Sequence, residues 1–156
     1  MKRSHWLFMF TFALVFYGLG AGYIESFVNY RTWHLIGAAE FTAYHHDLGP
    51  RIIAFLVIPV FSIAIFTLAL IWLRPPPIPR WSLFVSLALT LTIIIVSVTV
   101  QIPIQMQLHD NGLSLPLLDK LIQTDWIRKI AATANAILFM WMMTRVLRAS
   151  ASPELK

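Results

Sequence analysis

The side chains able to do acid–base or ligand chemistry are unevenly spread along these 156 residues, and the densest group is residues 37–51, which carry Glu40, Tyr44, His45, His46 and Asp47. The spacing predicts a short amphipathic helix over about 38–48, closed by Gly49 just past its end and by Pro50 after that. Phe41, Tyr44 and Leu48 make its apolar face, and His45 stands beside them, four after Phe41 and three before Leu48. His45 is therefore the candidate general base, because a histidine's ordinary pKa of about 6.5 suits proton transfer near neutrality. His46 projects from another side with Thr42 and is expected to be solvated.

Three further groups have polar chemistry in apolar surroundings. Glu25 follows Thr11, Leu14, Gly18, Ala21 and Gly22 at helical spacing, so a carboxylate shares a packing face and needs a cation, a hydrogen-bond donor or water. Ser82, Ser86, Thr90, Ser97 and Gln101 form one stripe, with Pro103 loosening the turn between Gln101 and Gln105. Arg128, Ala132 and Asn135 share a third face. The candidate catalytic set is His45 as base, Arg128 as oxyanion stabiliser and Glu25 as an orienting group. Gln101, Gln105, Asn135, Tyr44 and Trp33 are the candidate substrate-binding residues.

A metal is the alternative chemistry. His34, His45, His46, His109, Glu25, Glu40, Asp47 and Asp110 provide nitrogen and oxygen donors. No H-E-x-x-H or paired Glu-x-x-His motif organises them, so ligands would have to converge from separate loops. The expected cofactor is none, with a single transition metal as the alternative. The absence of cysteine removes disulfides, thiolate ligands and cysteine nucleophiles. No serine–histidine–acid arrangement, phosphate-binding glycine loop or nucleotide motif is present.

The elements that must position these residues are membrane spans. A composition of 58% hydrophobic and 12% charged residues gives a domain of this size too little polar surface for water. A helix needs roughly 20 apolar residues to cross about 30 Å of hydrocarbon, and residues 6–24, 52–73, 81–104 and 125–147 qualify. The first reads as a retained span, since no small-residue cleavage site follows it. The expected fold is all-α: one domain, residues 1–156, an integral membrane four-helix bundle with the short amphipathic helix in its first outer loop. Long outer loops at about 25–51 and 105–124 hold the chemistry. The proline-rich link at 74–80 is a stiff turn. Tyr23, Tyr30, Trp33 and Trp126 read as an interfacial belt. Thr124 reads as an N-cap, with Asp125 pairing Arg128 or Lys129 and Lys129 snorkelling to the headgroups.

Charge sets the topology. Lys2, Arg3, Arg74, Arg80, Arg145, Arg148 and Lys156 face Glu154 alone on one side. Arg31, Arg51, Lys120, Arg128 and Lys129 share the other with Glu25, Glu40, Asp47, Asp110, Asp119 and Asp125. The excess of basic residues puts both termini in the cytoplasm, and the net charge of +5 is this bias rather than a nucleic-acid surface.

Asn29-Tyr30 with Trp33, Ile36-Gly37 before Glu40-Phe41 and Tyr44-His45, Gln101-Ile-Pro103 with Leu108, and Thr124-Asp-Trp126-Ile-Arg128 occur in one order along most of the chain. In these it resembles a family of small bacterial four-helix membrane proteins distantly similar to the anthrone oxygenases. The resemblance implies a four-helix fold in the bacterial inner membrane and oxidation of a lipophilic aromatic substrate without a bound cofactor. It departs at Gln105 and Asn135, where such relatives carry histidine and arginine. The expected partners are the bilayer and a lipophilic small molecule, with no nucleic acid and an undetermined protein partner. The alternative function is a non-enzymatic accessory subunit or scaffold of a membrane complex. A reporter that fluoresces only in the cytoplasm, fused to either terminus, should be bright at both, and a dark fusion would reverse the topology.

Overall fold

The computed structural model describes residues 3–151, so Lys2, Glu154 and Lys156 of the charge count lie outside the described residues. Four long helices follow one another: α1 Arg3–Leu35, α2 Ala38–Leu73, α3 Arg80–Asn111 and α4 Leu115–Ala151. Each is long and apolar enough to cross a membrane, and the chain is an all-α, multi-pass integral membrane four-helix bundle. No strand occurs among the described residues. Each helix packs on its neighbours in sequence, and α1 closes the ring against α4.

The apolar exterior is the lipid surface: Ile24, Phe55, Ile65, Trp72, Ile95, Ile137 and Met140 are all exposed. Inside are two cores. One, towards the termini, is built on Phe8, Ile63, Leu70, Leu83, Phe139 and Met142, with Phe8 stacked on Phe139 at 5.8 Å. The other, at the far end, joins Tyr30, Trp33, Phe41, Ile104, Leu108, Leu118 and Leu121. Tyr30 and Trp33 are thus core residues and not interfacial anchors, whereas Tyr23 and Trp126 are exposed.

The far-end segments expected to be loops are helical. Only residues 36–37 and 112–114 separate the long helices there. The short helix expected to stop at Gly49 instead runs through Gly49 and Pro50 into the span. Stopping would leave its last carbonyls unpaired at the edge of hydrocarbon, while Pro50 forfeits one helix bond. The amide of Ile53 donates to the carbonyls of both Gly49 and Pro50. A glycine cap does occur, at Gly112, whose φ of 80° ends α3 and whose amide donates to Leu108. Thr124 is likewise no N-cap: α4 begins earlier, and its hydroxyl donates to the carbonyl of Lys120.

Three helices contain one wide turn with i to i+5 hydrogen bonding: Glu25–Asn29 in α1, Ile53–Val57 in α2 and Ser97–Gln101 in α3. The last two end two residues before Pro59 and Pro103, respectively. Proline has no amide to offer the carbonyl four residues back, and widening the turn accommodates that loss. At Pro59 the carbonyl four residues back is that of Phe55, and it accepts from the Tyr17 hydroxyl at 2.6 Å. At the opposite end, Arg74 Nε donates to Ile78 O at 2.8 Å and Arg145 Nε to Pro77 O at 2.9 Å, which fixes the proline-rich turn.

Small residues at i and i+4, such as Gly18 and Gly22 on the face that carries Glu25, can let a neighbouring helix approach closely, and here only Gly18 does. A Cβ there would sit 3.1 Å from Val60, whereas one at Gly22 would meet nothing within 4 Å. Gly18→Leu should therefore cost about 1–3 kcal/mol by overpacking, and Gly22→Leu less than about 0.5 kcal/mol. Thermal unfolding in mild detergent checks the pair, and equal losses would contradict this packing.

Candidate functional site

Counting about 20 residues in from the arginines at the terminal end reaches Ile24, Ile53, Val100 and Arg128, so the outer limit of a 30 Å hydrocarbon slab falls at about this level. Four ionisable groups sit there, Glu25, Asp125 and Lys129 buried and Arg128 half-buried. Their charges balance, two acids against two bases. Arg128 Nε donates to Asp125 Oδ1 at 2.7 Å and a terminal nitrogen binds the same oxygen, while the other terminal nitrogen reaches Ser97 Oγ at 3.2 Å. Asp125 Oδ2 makes no hydrogen bond but lies 3.4 Å from Lys129 Nζ.

Lys129 does not snorkel. Its side chain is 4% exposed, its ammonium donates to Ser26 Oγ at 2.7 Å, and it lies over the rings of Trp126 at 4.1 Å and Phe27 at 4.5 Å. Inward burial wins because the carboxylate, a hydroxyl and two aromatic faces are all within reach of one ammonium.

A cavity of about 880 Å³ lies along this layer, lined by residues of all four helices. Its apolar wall comes from Leu56, Val57, Val60, Ile93, Ile102 and Met106. Glu25, Gln101, Arg128 and Asn135 supply polar lining, and Trp33, His45 and Gln105 line it further towards the outer end. Seven of the eight sequence candidates thus share one cavity. Tyr44 does not: it is exposed and forms no part of the wall. His46, also exposed, reaches the rim, stacked on His109 with ring centres 3.6 Å apart.

His45 is buried among rings, 5.2 Å from Trp33, 5.5 Å from Phe41 and 5.7 Å from His109. Its Nε2 lies 2.8 Å from Gln105 Oε1, while Gln105 Nε2 donates to the Tyr30 hydroxyl at 3.1 Å. With the amide oxygen towards the histidine, Nε2 carries the proton and Nδ1 holds a lone pair. That Nδ1 is buried and has no partner in the fold.

Tyr30, His109 and the burial of Lys129 were not expected from sequence. Ser26, Tyr30 and Trp33 do follow at helical spacing, but one residue out of step with the Thr11, Gly18 and Glu25 face. The wide turn at Glu25–Asn29 inserts that extra residue. Among the described residues, no three histidine or carboxylate side chains gather into a group able to hold a metal ion.

Asp125→Asn leaves two cations without their carboxylate and should cost about 3–5 kcal/mol of stability, whereas Lys129→Met keeps the Asp125–Arg128 pair and should cost distinctly less. Thermal unfolding of both variants in the same detergent measures the order, and Lys129→Met proving the worse would refute the central place given to Asp125.

Comparison of the chain with protein families, with curated proteins and with solved structures finds no match.

Proposed function

We propose that this protein is a bacterial inner-membrane enzyme, both termini cytoplasmic, that takes a lipophilic small molecule into the cavity and oxidises it in the manner of the anthrone oxygenases it resembles. The observation that supports this reading best is the mixed lining of the cavity: much of it is aliphatic, and the rest carries buried polar atoms that the fold leaves without partners. Packing alone gives no reason to keep such atoms at the edge of hydrocarbon, where each is costly.

His45 is the base. Gln105 holds its Nε2, so Nδ1 is left to remove a proton from an acidic C–H or a phenol. Arg128, fixed by Asp125, puts positive charge beside the cavity where the substrate oxygen would become anionic. Dioxygen is the oxidant: an activated methylene plus O2 gives a carbonyl plus water, with the proton passing through His45. Glu25, Gln101 and Asn135 orient the substrate.

The test is oxygen uptake by purified protein with a lipophilic anthrone as probe, together with metal analysis and mass spectrometry of any bound compound. His45→Ala should lower turnover about 10²–10⁴-fold while thermal stability stays close to wild type. A parallel loss of both would make His45 a packing residue. A preparation without activity or bound lipophile, but with a stoichiometric protein partner, would favour the accessory-subunit alternative.

A further inference from the structure

The unpartnered atoms of the cavity are not of random type. Asn135 Nδ2 donates to Thr90 Oγ1 at 3.2 Å, and the Thr90 proton is already committed to the Ser86 carbonyl at 2.9 Å. Thr90 can therefore only accept from Asn135, which fixes the amide with its oxygen free. Gln101 repeats the logic. Its Nε2 donates to Thr124 Oγ1 at 2.9 Å, and the Thr124 proton goes to the Lys120 carbonyl at 2.7 Å. Asn135 Oδ1 and Gln101 Oε1 are thus acceptors by construction, both buried and both without a partner. Glu25 adds a third: Oε2 accepts from Asn29 Nδ2, and Oε1 is buried and unpartnered. Glu25, Gln101 and Asn135 all line the same cavity.

The route to these acceptors is sideways. Packing of α2 on α3 is concentrated in two zones, Ile58–Leu73 on Arg80–Val96 and Ala38–Ile52 on Ile102–Asn111. Between them lie the wide turns that precede Pro59 and Pro103, and there the cavity wall is aliphatic, from Ile53 and Val57 on α2 to Ile102 on α3. Ile53 and Ile102 are exposed. By residue count this gap straddles the level of Arg128, with Val57 on the hydrocarbon side, Ile53 at that level and Ile102 two residues beyond Val100, so its inner part faces acyl chains.

We propose that the cavity is a lateral-access site for an uncharged lipid whose headgroup hydroxyls donate to acceptors among Glu25, Gln101 and Asn135, with Asn135 one of them, and whose tail leaves between α2 and α3 into the bilayer. Unpartnered acceptors favour a ligand that brings donors, and a layer of two acids and two bases offers an ionic headgroup no surplus of either type. This rests on the proposed oxidation, with the ligand a tailed dihydric phenol that dioxygen takes to the quinone, hydrogen peroxide carrying off the two electrons and two protons.

The test is binding of radiolabelled decylhydroquinone, kept anaerobic, to the full chain in phosphatidylcholine nanodiscs, followed in time and to equilibrium. Decylhydroquinone should bind, its dimethyl ether should compete at least about tenfold more weakly, and tailless hydroquinone should also be weaker. Asn135→Leu should remove the preference over the ether, and Val57→Trp or Ile102→Trp, each checked for wild-type unfolding temperature, should slow or abolish binding. Equal binding of phenol and ether would overturn hydroxyl recognition while the lipophilic cavity stood. Equal affinity for the tailless phenol, or unchanged binding kinetics in both tryptophan variants, would overturn lateral access. No binding of either compound, with oxygen uptake on the anthrone intact, would overturn this inference and leave the proposed function standing; loss of both would overturn the two together.

Discussion

A carboxylate at the edge of hydrocarbon governs the functional half of this molecule. Asp125 is buried and draws Arg128 and Lys129, three and four residues further along its own helix, away from the headgroups. Those cations then reach two other helices, through Ser97 on α3 and Ser26 on α1. One residue of α4 thereby sets the spacing of three helices by charge-assisted bonds in a place of low dielectric, where such bonds are strong and their loss is expensive. Glu25 completes the balance, so the layer is polar and neutral at once. A neutral polar layer can adjoin a cavity without demanding a counter-ion from the membrane.

The cavity itself follows from the prolines. A straight helix pair with aliphatic facing residues closes along its whole length by ridge-and-groove packing. Pro59 and Pro103 prevent this on two facing helices, because each removes an amide and each is preceded by a wide turn. α2 and α3 still meet at both ends, held at one by the rigid proline-rich turn and at the other by His45 with Gln105 and His46 on His109. A gap in the middle is the consequence. Tyr17 shows how the fold tolerates the irregularity: its hydroxyl satisfies the Phe55 carbonyl that Pro59 cannot.

The membrane-embedded half was well encoded in local sequence. Apolar runs of spanning length, the Ser82, Ser86, Thr90, Ser97 and Gln101 stripe and the i,i+3 and i,i+4 pairs of Asp125 are all read at a regular 100° per residue, and all five stripe residues are buried. The far half was misread for a shared reason. Apart from the helix read at about 38–48, polar composition at 25–51 and 105–124 reads as loop, yet nearly all of both segments is helix continuing the spans around a second core. Gly49-Pro50 looks like a stop, but a stop signal is decided by what would satisfy the carbonyls it exposes. At a membrane boundary, continuing was cheaper. Tyr30 escaped because the wide turn shifts the inward face by one residue, a change that periodicity counted from Glu25 cannot anticipate.

Gln105 and Asn135 place two neutral amides on the cavity wall. At Gln105 the amide links Tyr30 to His45 and presents an oxygen to the imidazole, a role that needs one donor and one acceptor at fixed separation. At Asn135 the amide is held by Thr90 and turns its oxygen towards the cavity, where an arginine would bring donors and a charge. An added cation there would unbalance the layer of Glu25, Asp125, Arg128 and Lys129. The neutral amide therefore suits this chain's own electrostatics, and it converts that part of the wall from a donor surface to an acceptor surface. Ligand preference at this position is then set by hydrogen-bond polarity rather than by charge.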